Sequence, residues 1–153
     1  MITRRGFLLL GLFAGTARAQ LPPNIQEIRK KALDQAIAKV VGNAQLRQGR
    51  VKLNVPPLID NGNLVPLSVE VESPMSAADH VKAIHIFTER NPQPYILSVY
   101  LGPRAGRARI ATRARIADTG AVIAIAQMND GSFWSDSVKV VVTLSACLEE
   151  GLI

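Results

Sequence analysis

The clearest pattern in the chain is the alternation of Val65, Leu67, Val69 and Val71 with Ser68, Glu70 and Glu72. A period of two puts the apolar side chains on one face and the polar ones on the other, which predicts a half-buried β-strand. Val51-Lys52-Leu53-Asn54-Val55 reads as a shorter strand closed by Pro56-Pro57. Further strands are expected over 81–89, 95–101, 107–116, 121–128 and 138–144, punctuated by Asn91-Pro92-Gln93-Pro94, Gly102-Pro103, Asp118-Thr119-Gly120 and Asn129-Asp130-Gly131. Asp60-Asn61-Gly62-Asn63 reads as a tight turn whose glycine can take positive φ. About seven short strands at this spacing predict an all-β fold, an immunoglobulin-like antiparallel β-sandwich. The Cys…Trp…Cys pin of antibody domains is absent.

Ahead of the strands the period changes. Ile25, Ile28, Ala32, Leu33, Ala36, Ile37 and Val40 recur at helical spacing, with Arg29, Lys30, Lys31, Asp34 and Lys39 mostly on the other side. Asn24 and Glu27 make a capping pair, and Gly42-Asn43 a stop. One N-terminal α-helix is therefore expected to pack on the sandwich or on a partner.

The first residues follow neither period. Arg4-Arg5 precedes the apolar run 8–14, and Ala17-Arg18-Ala19 offers a small-x-small cleavage site after Ala19. This is the pattern of a twin-arginine signal peptide, with Arg4 and Arg5 as the signal pair. The run is far shorter than the ~20 residues that span a bilayer, so no stable membrane anchor is expected. A buried N-terminal helix fits poorly with paired arginines. The expected organisation is a leader over 1–19, a helical segment over 20–44, a sandwich over 45–144 and a tail over 145–153. The expected location is the periplasm, reached by the twin-arginine route.

Loss of Arg4, Arg5 and Arg18 with the leader lowers the formal charge from +6 to about +3. Nucleic-acid binding calls for denser charge with aromatic stacking partners, and aromatic content is only 5%. The expectation is no nucleic-acid partner. The only histidines are His80 and His85, with no cysteine beside them, and no Cys-x-x-Cys-His or glycine-rich phosphate loop occurs. No metal or other cofactor is expected. His85 stands among Ile84, Ile86 and Phe87, and reads as a hydrogen-bonded core or interface histidine rather than a ligand.

Two features remain. Arg107, Arg109, Arg113 and Arg115 fall on one face of a predicted strand, opposite Ala108, Ile110, Ala114 and Ile116. They read as a solvated face or as a docking patch for acidic partners. The second feature is Cys147, the single cysteine, just past the last predicted strand. In an oxidising compartment an odd cysteine implies a reactive thiol or an intermolecular bond. Glu149 and Glu150 disfavour the thiolate, which argues against a cysteine hydrolase and suits a thiol acted on by other proteins.

Several stretches in order resemble the SoxY family of sulfur carriers of the thiosulfate-oxidising Sox system. They are Asp60-Asn61-Gly62-Asn63-Leu64-Val65-Pro66-Leu67-Ser68-Val69, Glu72-Ser73-Pro74-Met75, Val81-Lys82-Ala83-Ile84-His85-Ile86-Phe87, Asn91-Pro92-Gln93-Pro94 and Met128-Asn129-Asp130-Gly131-Ser132-Phe133. The resemblance implies a heterodimer with a SoxZ-like subunit and covalent sulfur attachment at Cys147. It also implies sequential visits to a Sox haem enzyme, a sulfate-releasing hydrolase and a sulfane dehydrogenase, the carrier itself being no enzyme and holding no redox cofactor. The family's arm ends in Gly-Gly-Cys-Gly-Gly, whereas this chain has Ser145-Ala146-Cys147-Leu148-Glu149 and runs on to Ile153. Side chains at those four positions narrow φ and ψ and add bulk around the thiol. Two alternatives to the carrier stay open: a SoxY-derived binding or structural sandwich with lost or altered carriage, and a stand-alone thiol enzyme.

Overall fold

In a computed structural model that describes residues 25–143, one helix and nine strands build two stacked sheets. The elements are α1 (Ile25–Val41), β1 (Leu46–Gln48), β2 (Val51–Asn54), β3 (Leu58–Ile59), β4 (Val65–Val71), β5 (Val81–Thr88), β6 (Tyr95–Tyr100), β7 (Ala108–Ala114), β8 (Gly120–Met128) and β9 (Phe133–Val142). The larger sheet runs β1-β9-β8-β5-β6, with β3 also on β9, and the smaller runs β2-β4-β7. All the long ladders are antiparallel, and β1 and β3 add short parallel pairings along β9. The expected sandwich is present, as is the helix.

Alternation decides where the core lies. Val65, Leu67, Val69 and Val71 point inward from β4 and meet Ile84, Ile86, Val122, Ala124, Ala126 and Val140 of the larger sheet. The opposite face of that sheet is covered as well. Leu33 and Val41 of α1 are buried against Phe87, Ile125 and Phe133, with Ala36, Ile37 and Val40 packed alongside. Coverage on both faces explains why β5 is buried at every position but Lys82 and does not alternate. The helix stripe is only half used: Ile25 and Ile28, in the first turn, stay exposed.

Three local departures from the sequence reading have physical reasons. β9 begins at Phe133, five residues before the apolar run at 138. Ser135 and Asp136 hide the strand in the sequence, but they are used: Ser135 Oγ donates to Arg47 O (3.4 Å) and Asp136 Oδ2 accepts from Leu53 N (2.8 Å). β1 and β3 hold three and two residues, too few to show a period, and exist by pairing with β9. Gly62 does not take the left-handed conformation. Its turn is closed by the Asn61 side chain, which accepts from Asn63 N (2.9 Å), while the Gly62 carbonyl accepts from Ile116 N (2.8 Å).

Candidate functional site

The last described strand is built to hold its end still. Val141 N donates to Pro57 O (2.9 Å), Val142 N to Thr119 Oγ1 (3.0 Å) and Thr143 N to Ile59 O (2.9 Å), and Thr143 Oγ1 donates to Asp60 O (3.1 Å). Val142 is buried and Val141 exposed, so the alternation continues to the final turn. Cys147 follows four residues after Thr143. It lies outside the described residues, as do Arg4, Arg5 and Ala19.

A concavity of about 1070 Å³ lies on the outer face of the smaller sheet. Its lining includes Asn54, Val55, Pro56, Pro66, Arg109 and Arg113. Sequence reasoning found the two arginines through their strand period. It missed the proline-rich rim, because Pro56 and Pro66 become neighbours only through pairing of β2 with β4. Arg109 stands opposite Glu70, and Arg113 opposite Pro66. Both guanidinium groups are exposed and, among the described residues, neither has an ion-pair partner. Arg107 and Arg115 flank β7 and stay exposed, but they do not line this concavity. Arg107 instead borders a smaller one with Lys52, Glu70 and Glu72.

The two histidines have separate, structural settings. His80 Nδ1 bonds to Ser76 O (3.0 Å), and its backbone N–H donates to Asn129 Oδ1 (3.0 Å). His85 lies on the helix-covered side of β5, where it is buried, hydrogen-bonded to Ser98 Oγ and edge-on to the Tyr100 ring. Burial pushes its pKa below the usual imidazole value. Among the described residues its Nε2 has no hydrogen-bond partner. Among the described residues, no three His, Cys, Asp or Glu side chains group as a metal site.

Most of the stretches that suggested a family turn out to be turn chemistry. Ser73 Oγ accepts from Met75 N (3.1 Å) and donates to Asp79 O (3.2 Å) around Met75, whose φ is 50°. Asn91 brackets the end of β7, donating to Arg115 O (2.8 Å) and accepting from Ala117 N (2.7 Å). Asp130 Oδ1 accepts from Ser132 N (2.8 Å) and Oγ (2.6 Å), and these bonds draw its pKa down. Gly131 beside it has φ 83°, in the left-handed region.

A family profile described as sulfur oxidation protein SoxY matches residues 37–147, so the matched region ends on Cys147. No curated protein matches the chain. Among solved structures, the sulfur carrier protein SoxY from Chlorobium limicola f thiosulfatophilum superposes with TM-score 0.62 at 27% identity, covering 74% of this chain and 98% of that one. A superoxide reductase (neelaredoxin) from Ignicoccus hospitalis gives TM-score 0.55 at 18% identity, covering 61% and 80%. A putative superoxide reductase from Thermotoga maritima gives 0.52 at 17%, covering 65% and 93%. The two reductases share the fold alone.

Proposed function

The chain belongs to the SoxY family of sulfur oxidation proteins, and from that premise we propose that it carries sulfur covalently on Cys147. Membership makes it a sulfur carrier in sulfur oxidation. The observation that carries the finer reading is that the family match reaches Cys147 while the strand leading to it is pinned by four hydrogen bonds only a few residues earlier.

In this reading the thiolate of Cys147 is joined to the outer sulfur of a thiosulfate-type anion. One S–S bond forms, and two electrons leave to a haem-bearing Sox partner. Hydrolysis at the terminal sulfonate then consumes water, releases sulfate and two protons, and leaves a persulfide on the cysteine. A sulfane dehydrogenase acts on that persulfide. The chain itself supplies a tether, a thiol and surfaces for its partners, with no cofactor of its own. A SoxZ-like subunit pairs with it, and the twin-arginine leader takes it to the periplasm. Among the described residues no helix is long and apolar enough to cross a membrane.

Intact-mass measurement tests carriage. Mature protein incubated with thiosulfate and the haem partner should gain the mass of one thiosulfonate, and Cys147→Ser should gain nothing and abolish sulfur oxidation in cells. An unmodified mass with a freely alkylated thiol would count against the reading. The side chains that replace the arm's glycines favour a second reading, a SoxY-derived binding sandwich with lost or altered carriage, in which Cys147→Ser leaves sulfur oxidation intact.

A further inference from the structure

The trough on the outer face of the smaller sheet owes its shape and its charge to strand register. Asn54, Ser68 and Ala111 form one row across β2, β4 and β7, since Asn54 pairs with Ser68 and Ser68 with Ala111. Short side chains in that row leave a saddle in the sheet surface. Arg109 and Arg113 stand on either side of it along β7, two residues from Ala111 in each direction and so on the same face. Pro66 lies opposite Arg113, and Val55 and Pro56 continue the wall beyond the end of β2.

The groups that face into the trough are one-sided in their chemistry. Two guanidinium groups line it and, among the described residues, no carboxylate does. The carboxylate nearest by register is Glu70, which sits between Arg109 on β7 and Lys52 on β2 and is shared by two cations. Asn54 Nδ2 donates to Ser68 Oγ (3.5 Å), which leaves the Ser68 hydroxyl proton free to donate to an occupant. Arginine forks pair with carboxylates through two parallel charged hydrogen bonds. An occupant that brings acceptors and negative charge is the complement of this surface.

Dimensions separate a peptide from a single anion. The backbone positions of Arg109 and Arg113 are four residues apart, about 13 Å along the strand. In an extended chain, side chains two or four residues apart share a face at about 7 or 13 Å, which brings one carboxylate to each fork. A volume of about 1070 Å³ is at the top of the range of ordinary ligand pockets, far more than one oxyanion fills. The apolar wall of Val55, Pro56 and Pro66 suits the aliphatic parts of a chain. β7 is also the free edge of its sheet, so a chain can approach from the open side.

We propose that this trough docks an extended acidic segment of a partner protein, with carboxylates on Arg109 and Arg113 and backbone over Ser68 and Ala111. Arg107 and Arg115 lie outside the trough and add attraction at a distance, not contacts. Docking makes no use of Cys147, so it stands or falls separately from carriage.

The test is an amide-shift titration of isotope-labelled mature protein, kept reduced and at low ionic strength so that exposed charges are little screened. The probe is the end-capped peptide Gly-Glu-Val-Glu-Val-Glu-Gly, with Gly-Gln-Val-Gln-Val-Gln-Gly and sodium sulfate as controls. The acidic peptide should shift the amides of Ser68, Arg109, Ala111 and Arg113 saturably, and the glutamine peptide should not. Arg109→Gln/Arg113→Gln should weaken binding about tenfold, the ratio that two ion pairs near the upper end of the exposed range set. Arg107→Gln/Arg115→Gln should weaken it no more than about twofold, as charges that steer without contact do. All four arginines are exposed, so unchanged amide shifts elsewhere verify the fold of each variant. No saturable shift with the acidic peptide, or shifts spread along the basic strand and lost equally in both double variants, would overturn the proposal. So would sulfate that moves the same amides and blocks the peptide at equal concentration, since the trough would then be a small-anion site.

Discussion

Asp136, in the first half of β9, ties the two sheets together, and its removal gives a sharp test of the architecture. β2 is an edge strand of the smaller sheet, paired on one side only with β4. Its free side would leave Leu53 N–H without a partner, a costly state for a half-buried backbone donor. Asp136 Oδ2, reaching from β9 in the other sheet, accepts that N–H at 2.8 Å. Hydrogen bonds with one charged partner contribute about 1.5–3 kcal/mol. Because the bond is only partly buried, water offers some compensation, so Asp136→Ala should cost about 1.5–2 kcal/mol. For a domain of this size that is a fall in Tm of roughly 5–8 °C.

Urea denaturation measures the effect directly: the midpoint should drop with m unchanged. Asp136→Asn keeps an acceptor and loses the charge, so it should lose about half as much. If Asp136→Ala stays within about 0.5 kcal/mol of the parent, as a solvated surface substitution would, the carboxylate is not joining the sheets. Equal losses for Ala and Asn would likewise refute the hydrogen-bond account.

Two further outcomes follow from the larger sheet. Phe87 is fully buried under α1 and edge-on to Tyr95, so Phe87→Ala should cost about 3–5 kcal/mol, with hydrogen-exchange protection lost first along α1. His85 titrates below its ordinary value because burial disfavours the imidazolium. As pH falls below about 6.5 the unfolded chain takes up a proton that the folded chain refuses, so stability is flat above that pH and declines beneath it. Urea midpoints at about pH 7.5 and about pH 5.5 should differ in the parent and draw together in His85→Gln; an unchanged pH slope in that variant would contradict the assignment.

Most of the fold was legible because burial imposes its period on the sequence. β4 buries one face and alternates without error, and α1 shows its stripe at 3.6-residue spacing. What escaped was long-range. The first half of β9 reads as polar loop because Ser135 and Asp136 find their partners on β1 and β2, some eighty residues earlier in the chain. The same limit applies to the site. A strand period exposed Arg109 and Arg113, but nothing local to residues 54–56 or 66 announces a shared rim, since that rim is made by strand register. His85 was legible as a core residue from its neighbours, whereas its contacts with Ser98 and Tyr100 depend on the register of β5 with β6.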